Sequence, residues 1–340
     1  MKAILILLVL MGFYSATAAV ENNSQILFDS KSLNETRKIL VRLPIDYSEN
    51  NDKSYPLLIT LNDEDNFKWA SSIVDVQAAR FGIEDMIVVG LPHNGNYSKD
   101  NYPFKKKGNI EPNPQSEKYS NFIRKEIVPY VNKNYRTNGG KFIVGHSLSG
   151  LFVTNMFMQY PDEFSTFIVL SPSVHHAPQL STLVKPFLIN NKSLAGSIYI
   201  SLGDMEHQQI LQEYKVLKEV FENHAPQTLT WSVDYMENTD HLLAAYKGIY
   251  DSLTWVYRDW YLLDTEMQQS SLDDYIQHYD EFSKKLKYPI KPRERHLVSF
   301  SGFAKKKLND HKAAVEALKT AIHYYPNSQN PKDKLKEIDK

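Results

Sequence analysis

Short apolar runs separated by polar turns recur along the chain and predict the strands of a sheet. Residues 37–43 alternate between apolar and polar side chains, a pattern typical of an antiparallel strand with one solvent-exposed face. Residues 56–61 and 85–91 are almost continuously apolar, as expected of strands covered on both faces. Further strand patterns, apolar or alternating, lie at residues 142–144, 164–170, 197–202 and 228–235.

Helical periodicity fills several of the intervals between these strands. Apolar side chains at Ile123, Ile127 and Val131 form the stripe of one helix. Ser116 is the predicted N-cap of that helix, because its hydroxyl can accept a backbone N–H hydrogen bond. Other helices are predicted at residues 69–81, 209–221 and 242–263.

The alternation of strands and helices predicts an α/β fold with a mostly parallel central sheet and flanking helices. This domain is expected to span residues 20–263. Residues 92–115 interrupt the alternation with a long segment rich in Asn, Lys, Pro and Gly. A loop of this length in a compact domain is usually functional or mobile, so we expect it to help build a binding site.

The N-terminal end differs from this domain. Residues 1–19 combine Lys2, an apolar run and a small-residue stretch that offers cleavage after Ala18 or Ala19. This layout predicts a secretory signal peptide, because the apolar run is too short to span a bilayer comfortably. The alternative is an uncleaved N-terminal anchor. We therefore expect an exported protein, secreted or periplasmic, with no membrane span in the mature chain.

Residues 264–340 lose the strand signals and become charged and helix-forming. Gly302, Ala314, Ala321 and Pro326 match the small residues and the closing proline of a tetratricopeptide unit. One such unit cannot bury its own apolar face, so we expect this α-helical extension to pack on the main domain or on a second copy of the chain. A peptide-binding solenoid, with protein contacts through these helices, is the alternative.

The composition of the chain limits which partners it can bind and which residues can carry out a reaction. The chain has 340 residues, a formal net charge of −1 and no cysteine. A charge so close to zero argues against a nucleic-acid partner that is recognised through bulk positive charge. The lack of cysteine excludes disulfides, thiolate catalysis and zinc sites that use cysteine.

The predicted strand at residues 142–144 leads into the strongest candidate chemistry. It meets Gly145-His146-Ser147, and apolar residues at helical spacing follow. Strand, sharp turn and helix form the context of a nucleophile elbow, in which strained backbone geometry at the serine requires small neighbours. Gly145 supplies one small neighbour, and Ser149 supplies the other. By itself such a string could also be an ordinary strand-to-helix turn.

Two later strand ends supply what a serine nucleophile needs, a base and an acid that orients the base. Asp204 and Glu206 follow one predicted strand, and His241 follows the next. In α/β hydrolases the chain order is nucleophile, acid, base, each on a loop after a strand. We therefore predict Ser147 as the nucleophile, His241 as the base and one of the two carboxylates as the acid. This chemistry needs no cofactor and no metal.

An oxyanion hole is expected beside the nucleophile. Its first donor is the backbone N–H of Leu148, the residue after Ser147. The second donor should come from the loop after the strand at residues 56–61, near Asn62 and Asp63. Since both donors are main-chain groups, the side chains there need no particular chemistry.

Five segments of the chain follow the motif order of one known family. They are Tyr55-Pro56-Leu57-Leu58, the strand at residues 87–92, the helix at residues 127–131, Gly145-His146-Ser147 and Ser171-Pro172-Ser173. Over about residues 25–260 the chain resembles the esterase family of α/β hydrolases that includes esterase D, feruloyl esterases, mycolyltransferases and IroE-like siderophore esterases. The helical tail is also similar to that of IroE-like members.

The resemblance implies the α/β-hydrolase fold and a small-molecule ester as substrate. It also selects Glu206 over Asp204 as the acid, since the family's acid usually lies three residues after the glycine.

Two departures from the family pattern bear on the substrate. Asn96 stands where the family often has an arginine. The acidic residues 63–65 lie at the expected oxyanion hole, where they would repel a tri-anionic catecholate siderophore unless the lysines at 105–107 compensate. Alternatively, both charge runs are solvated faces. Siderophore hydrolysis is thus one option among several.

Three histidines are candidates for the wall of the substrate site. His175 and His176 follow Ser171-Pro172-Ser173 at the strand edge beside the nucleophile, and His93 follows the strand at residues 85–91. Adjacent histidines lack the spacing of a metal pair, so no metal site is predicted. An ordinary solvated loop is the alternative interpretation of His175 and His176.

These patterns together favour an exported serine esterase that cleaves a carboxylic ester through an acyl-enzyme. Two alternatives stay open. An acyltransferase of the same fold would resolve the acyl-enzyme with an alcohol instead of water. A non-catalytic protein would keep the fold as a scaffold and bind partners through the helical tail, although the intact order of serine, acid and histidine argues against it.

Overall fold

The computed structural model describes residues 23–49, 52–80, 82–177, 179–260 and 270–338. Within these ranges the chain forms an eight-stranded sheet flanked by helices, which confirms the predicted α/β class. The predicted signal peptide at residues 1–19 and the predicted boundary between residues 263 and 264 lie outside the described residues. Among the helices of these ranges, none has the length and apolarity that a bilayer crossing requires.

The central sheet is antiparallel at one edge and parallel elsewhere. Its strand order is β1-β2-β4-β3-β5-β6-β7-β8, and β2 runs antiparallel to both of its neighbours. The remaining pairs are parallel, so the loops after these strands meet at one carboxyl edge. The strands are β1 (Asn23–Ser30), β2 (Glu35–Arg42), β3 (Tyr55–Asn62), β4 (Ile87–Pro92), β5 (Thr137–His146), β6 (Thr166–Leu170), β7 (Gly196–Gly203) and β8 (Leu229–Met236).

Helices cover both faces of the sheet. Two buried clusters define these layers, with α3, α5, α6 and α7 on one face and α1 and α8 on the other. A π-helical segment, Phe122–Ile127, joins α3 to α4. The helices are α1 (Glu64–Ala79), α2 (Tyr97–Asn101), α3 (Pro114–Asn121), α4 (Val128–Asn134), α5 (Leu148–Gln159), α6 (Gln179–Asn190), α7 (Gln208–His224) and α8 (Leu243–Val256).

Two helix starts differ from the predictions. α1 begins at Glu64 rather than at residue 69, because the Asp63 side chain accepts the Asn66 N–H at 2.9 Å and caps the helix. The N-cap of α3 is Asn113 rather than Ser116, which is buried inside the helix. The segment predicted as a loop at residues 92–115 therefore contains α2 and the start of α3.

Besides α2, the sequence patterns also failed to predict β1 and α6. β1 is an edge strand, and Leu27 within it is 71% exposed, so this strand lacks a complete apolar face. α6 contains Pro186 in its interior, and a proline there normally argues against a helix.

The helical tail packs on the sheet. It consists of α9 (Leu272–Leu286), α10 (Glu294–Phe303), α11 (His311–Tyr324) and α12 (Asn330–Ile338). Tyr279 and Leu286 of α9 share a buried cluster with Phe142 of β5, on the face that carries α1 and α8. The tail and the sheet thus share one apolar core.

Two of the tail's small residues pack as expected of a helical hairpin. Ala314 and Ala321 are fully buried where α10 and α11 pack together. Gly302 differs, because a Cβ added there would meet no atom within 4 Å. Glycine at residue 302 is therefore not required by a close approach of helices, and a tetratricopeptide-like role for the tail stays a prediction.

A carboxyl group joins the tail to the sheet domain. Glu84, in the turn before β4, accepts hydrogen bonds from the Tyr288 hydroxyl at 2.6 Å and the Tyr257 hydroxyl at 3.4 Å. Tyr257 follows α8, and Tyr288 follows α9. Burial raises the pKa of Glu84 to about 7, although the two tyrosine hydrogen bonds oppose this shift. The junction therefore carries a group that changes charge near neutral pH.

Replacing Glu84 with Gln should flatten the pH dependence of stability. The folded state holds the Glu84 proton up to about pH 7, whereas an unfolded chain releases it near pH ~4.3. Between these values the folded state binds more protons, so the wild-type free energy of unfolding loses a contribution as pH rises. Urea unfolding at about pH 5 and about pH 8 measures the difference. Glu49→Gln, at an exposed glutamate, is the control; equal pH dependence in wild type and Glu84→Gln would contradict this role.

Candidate active site

Ser147 lies in a strained turn between β5 and α5. Its φ of 60° and ψ of −121° fall in a region that non-glycine residues rarely adopt. Two backbone hydrogen bonds hold the turn, from Ser147 N–H to the Leu170 carbonyl and from Ser173 N–H to the Ser147 carbonyl, each 3.0 Å. A Cβ on Gly145 would lie 2.2 Å from the carbonyl oxygen of Ser149, so only glycine fits there. The local sequence therefore adopts the geometry of a nucleophile elbow.

The second serine of the motif stabilises this turn. Ser149 is fully buried. Its hydroxyl accepts the His146 N–H at 2.9 Å and donates to the His146 carbonyl at 2.8 Å. The Ser149 hydroxyl thus bonds only to the backbone of the turn, whereas the Ser147 hydroxyl faces His241 in the loop after β8.

The structure brings Ser147, His241 and Glu206 into one hydrogen-bonded row. Ser147 Oγ lies 3.0 Å from His241 Nε2, and His241 Nδ1 lies 2.6 Å from Glu206 Oε1. The Glu206 side chain is only 3% exposed. A buried carboxylate against Nδ1 favours the tautomer in which Nε2 is an acceptor. The row therefore has the geometry that a histidine needs in order to take a proton from a serine.

Asp204 occupies a different place in the same loop. It is exposed, and its Oδ1 accepts the Thr239 N–H at 3.1 Å. Hydrogen bonds from backbone N–H groups, that of Thr239 first, lower the pKa of Asp204. A Cβ on Gly203 would lie 2.2 Å from the Thr239 carbonyl oxygen, so the loops of the acid and the base touch here. The geometry therefore favours Glu206 over Asp204 as the partner of the histidine.

Two site residues were missed by the sequence analysis. His146 Nε2–H donates to the His241 backbone carbonyl at 2.7 Å, and the two ring centroids lie 4.8 Å apart. Burial, with the neighbouring His241 second, lowers the pKa of His146 to about 4, so its ring is neutral at neutral pH. Ser173 Oγ lies 3.0 Å from Ser147 Oγ. The position of His146 inside the elbow motif is the signal that could have found it.

Leu148 and Asp63 lie at the edge of the sheet where an oxyanion hole was predicted. Leu148 begins α5 directly after Ser147, and Asp63 directly follows β3, which pairs with β5. Asn62 has a φ of 99°, which turns the chain sharply out of β3. Both backbone N–H groups are thus close in the fold to the nucleophile, and their role as oxyanion donors stays a prediction.

His175 is half-buried, and its electrostatic surroundings include groups of the site. Burial, and then electrostatic interactions with His176 and Lys107, lower the pKa of His175, with a smaller contribution from His241. His176 and His93 are exposed. Across the residues that the structure describes, no group of three or more potential ligands could hold a metal ion.

A family model described as "Putative esterase" matches residues 30–255, well over half of the 340-residue chain. The chain belongs to this esterase family. The match confirms the family resemblance that the motifs predicted.

Two proteins of Bacillus subtilis (strain 168) are similar to this esterase-family chain over part of its length. The ferri-bacillibactin esterase BesA is 28% identical over an alignment of 123 residues, and the match covers 32% of this chain and 39% of BesA. The uncharacterized protein YjcH is 30% identical over an alignment of 155 residues, and the match covers 43% of this chain and 60% of YjcH. The chain therefore spans less than two thirds of the length of either relative.

A solved structure confirms the fold. The IroE-like serine hydrolase from Shewanella oneidensis matches with a TM-score of 0.75 at 19% identity, and the match covers 89% of this chain and 99% of that one. The likeness establishes the α/β-hydrolase fold. The match covers more of the chain than residues 1–263 alone could supply. The common fold therefore includes part of the helical tail.

Proposed function

We propose that this esterase-family protein is a serine esterase that acts through an acyl-enzyme. Ser147 is the nucleophile, His241 is the general base, and Glu206 is the acid that orients it. The observation that carries the proposal is the hydrogen-bonded row, 3.0 Å from serine to histidine and 2.6 Å from histidine to glutamate. Membership of the esterase family supports a carboxylic ester as the bond that is cleaved.

The proposed reaction has two halves. Ser147 Oγ attacks the ester carbonyl while His241 Nε2 takes its proton, and the backbone N–H groups of Leu148 and Asp63 hold the developing oxyanion. His241 then returns the proton to the leaving alcohol, which departs and leaves the acyl group on Ser147. Water, deprotonated by the same histidine, attacks the acyl-enzyme and releases the acid.

His146 supports this cycle without exchanging a proton. Its hydrogen bond to the backbone carbonyl of His241 helps to hold that residue, the general base, in position. With the pKa of His146 lowered to about 4 by burial, its ring carries no charge at neutral pH. A second imidazolium beside His241 would oppose the positive charge that forms on the base in the transition state.

We further propose that the protein is exported to the periplasm or the medium. The support is the layout of residues 1–19, with a basic start, an apolar run and small residues before the cleavage point. The active protein would then begin near residue 20.

A fluorophosphonate probe should label the wild-type protein, because it traps an activated serine. Ser147→Ala should abolish labelling and leave only about 10³–10⁴-fold catalysis over water. Ser193→Ala, at an exposed serine, is the matched control and should label normally. The labelled protein should appear in the exported fraction, with an N-terminus after Ala18 or Ala19. Absence of wild-type labelling, or equal labelling of Ser147→Ala, would refute the proposed mechanism.

Replacing Glu206 and Asp204, each in its own variant, with the corresponding amide should show which of the two carboxylates orients the histidine. Glu206→Gln should lower kcat by about 10⁴-fold, because the amide no longer fixes the histidine tautomer. Asp204→Asn should change kcat little, since the amide oxygen can still accept the Thr239 N–H. Steady-state kinetics on a p-nitrophenyl ester give both values. Equal losses in the two variants would contradict the choice of Glu206.

A siderophore lactone is a candidate substrate class, supported by the similarity to BesA. The negative charges at residues 63–65, which were expected to repel such a substrate, have partners in the structure. Glu64 is paired with Lys38, Asp65 lies 3.0 Å from Lys68, and residue 63 caps α1. The repulsion expected for an anionic catecholate is therefore weakened, and the charge of Lys107 reaches His175 in the site.

If an anionic siderophore is the substrate, Lys107→Ala should lower kcat/KM for a catecholate trilactone more than for a neutral feruloyl ester. Lys105→Ala is the control, because Lys105 is paired with Glu111.

The product should be the free acid even when an alcohol is added. Formation of an ester of that alcohol would instead show that the protein is an acyltransferase. Rapid cleavage of feruloyl esters together with no cleavage of the trilactone would exclude the siderophore class.

A further inference from the structure

The Ser173 hydroxyl is a second hydrogen-bond partner of the nucleophile's oxygen. Ser173 Oγ lies 3.0 Å from Ser147 Oγ, which also lies 3.0 Å from His241 Nε2. Ser173 is buried, with only 4% of its surface exposed. The oxygen that would attack the ester thus contacts two side chains, and the proposed reaction gives a role only to the histidine.

The turn that carries Ser173 is held by the sheet and by α5. Ser171, the first residue after β6, has a φ of 38°, and its N–H donates to a carbonyl of β7 at 2.7 Å. A Cβ added to Gly150 of α5 would lie 3.2 Å from the Cα of Pro172, so the turn packs closely on that helix. The Ser173 N–H donates to the Ser147 carbonyl at 3.0 Å. Ser173 is therefore attached to the elbow through its backbone as well as its side chain.

The local structure offers the Ser173 hydroxyl a different partner. Ser173 is the N-cap of a short 3-10 helix, Val174–His176, and a serine in that position commonly accepts a backbone N–H from the following turn. Here the side chain makes no capping hydrogen bond, and its oxygen lies beside Ser147 Oγ instead. The contact with the nucleophile therefore depends on tertiary structure and not on the local helix.

The arrangement of protons makes Ser173 the donor in this contact. The Glu206 carboxylate against Nδ1 leaves Nε2 of His241 as an acceptor, so the single hydroxyl proton of Ser147 is donated to the histidine. A serine hydroxyl carries one proton and two lone pairs. Ser147 Oγ can then form its second hydrogen bond only as an acceptor. The Ser173 O–H is therefore directed at a lone pair of the nucleophile.

We propose that Ser173 is a further catalytic residue, whose hydroxyl stabilises negative charge on Ser147 Oγ. The inference rests on the proposed esterase function and adds a residue to it. As His241 takes the proton, charge builds on Ser147 Oγ, and a hydrogen bond to a charged acceptor is stronger than one to a neutral acceptor. The contact therefore stabilises the transition state for attack more than the resting hydroxyl, which accelerates the reaction.

The same contact acts in the second half of the reaction. After water has added to the acyl-enzyme, the bond between the acyl carbon and Ser147 Oγ breaks, and this oxygen is now the leaving group. Negative charge returns to it until His241 gives back the proton. The Ser173 O–H donates to the departing oxygen and keeps its own proton throughout. Loss of Ser173 should therefore slow both acylation and deacylation.

Ser173→Ala should lower the rate of labelling by a fluorophosphonate, which reports attack by Ser147, by about tenfold, as expected when one hydrogen bond to a charged group is removed. Hydrolysis of the acyl-enzyme formed from a p-nitrophenyl ester should slow by a similar factor. The pH profile of kcat/KM should keep its wild-type shape, because the hydrogen bond between His241 and Glu206 is not altered.

Ser171→Ala is the matched control. It removes a hydroxyl from the same turn, but that hydroxyl accepts the Gly203 N–H at 3.4 Å. Its rates of labelling and deacylation should stay close to wild type. Thermal unfolding of both variants shows whether either substitution destabilises the turn.

Three outcomes would overturn the role of Ser173. An unchanged labelling rate in Ser173→Ala would show that its hydroxyl does not stabilise the transition state. Faster labelling would show that Ser173 competes with His241 for the Ser147 proton. Equal losses in Ser173→Ala and Ser171→Ala, or a changed pH profile, would reduce its role to the stability of the turn. If wild type itself fails to label, the proposed esterase function fails instead.

Discussion

The left-handed backbone at Ser147 is the constraint on which the rest of the site depends. A non-glycine residue in such a conformation costs on the order of 1–3 kcal/mol and persists only where the surroundings over-determine it. Here a parallel sheet supplies those surroundings, because the elbow is bonded to the end of β6 while α5 packs closely behind Gly145. The large apolar core therefore stabilises the fold and also holds the Ser147 hydroxyl within hydrogen-bond distance of His241.

The base and its acid are placed by a second close contact. The loop after β7 and the loop after β8 approach so closely at Gly203 that no side chain fits between them. Asp204 adds a hydrogen bond across the same contact, to the N–H of Thr239. The two loops thus behave as one unit, and the short bond between Glu206 and His241 follows from their joint position. The Asp204 carboxylate accepts a backbone N–H here and does not contact the histidine, although its type and spacing made it a candidate for chemistry.

Sequence patterns were sufficient for a mostly parallel sheet with flanking helices, and they nominated a serine, an acid and a histidine after three of its strands. Both depend on local periodicity and on which residues follow a strand. The patterns failed where distant contacts decide. β1 has an exposed apolar residue because it is an edge strand, and α1 starts early because Asp63 caps it. His146 was missed because its partner is a backbone carbonyl 95 residues away.

The buried ion pair between Arg37 of β2 and Asp100 of α2, 2.6 Å from Nη2 to Oδ2, has a consequence for how such an enzyme can diversify. The hydrogen-bonded row from serine to glutamate is carried by loops from the parallel half of the sheet, whereas α2 is anchored to β2 at the antiparallel edge. This ion pair involves none of the three side chains of the row. Substitutions elsewhere in α2 can therefore accumulate while both the anchor of the helix and the hydrogen-bonded row stay in place.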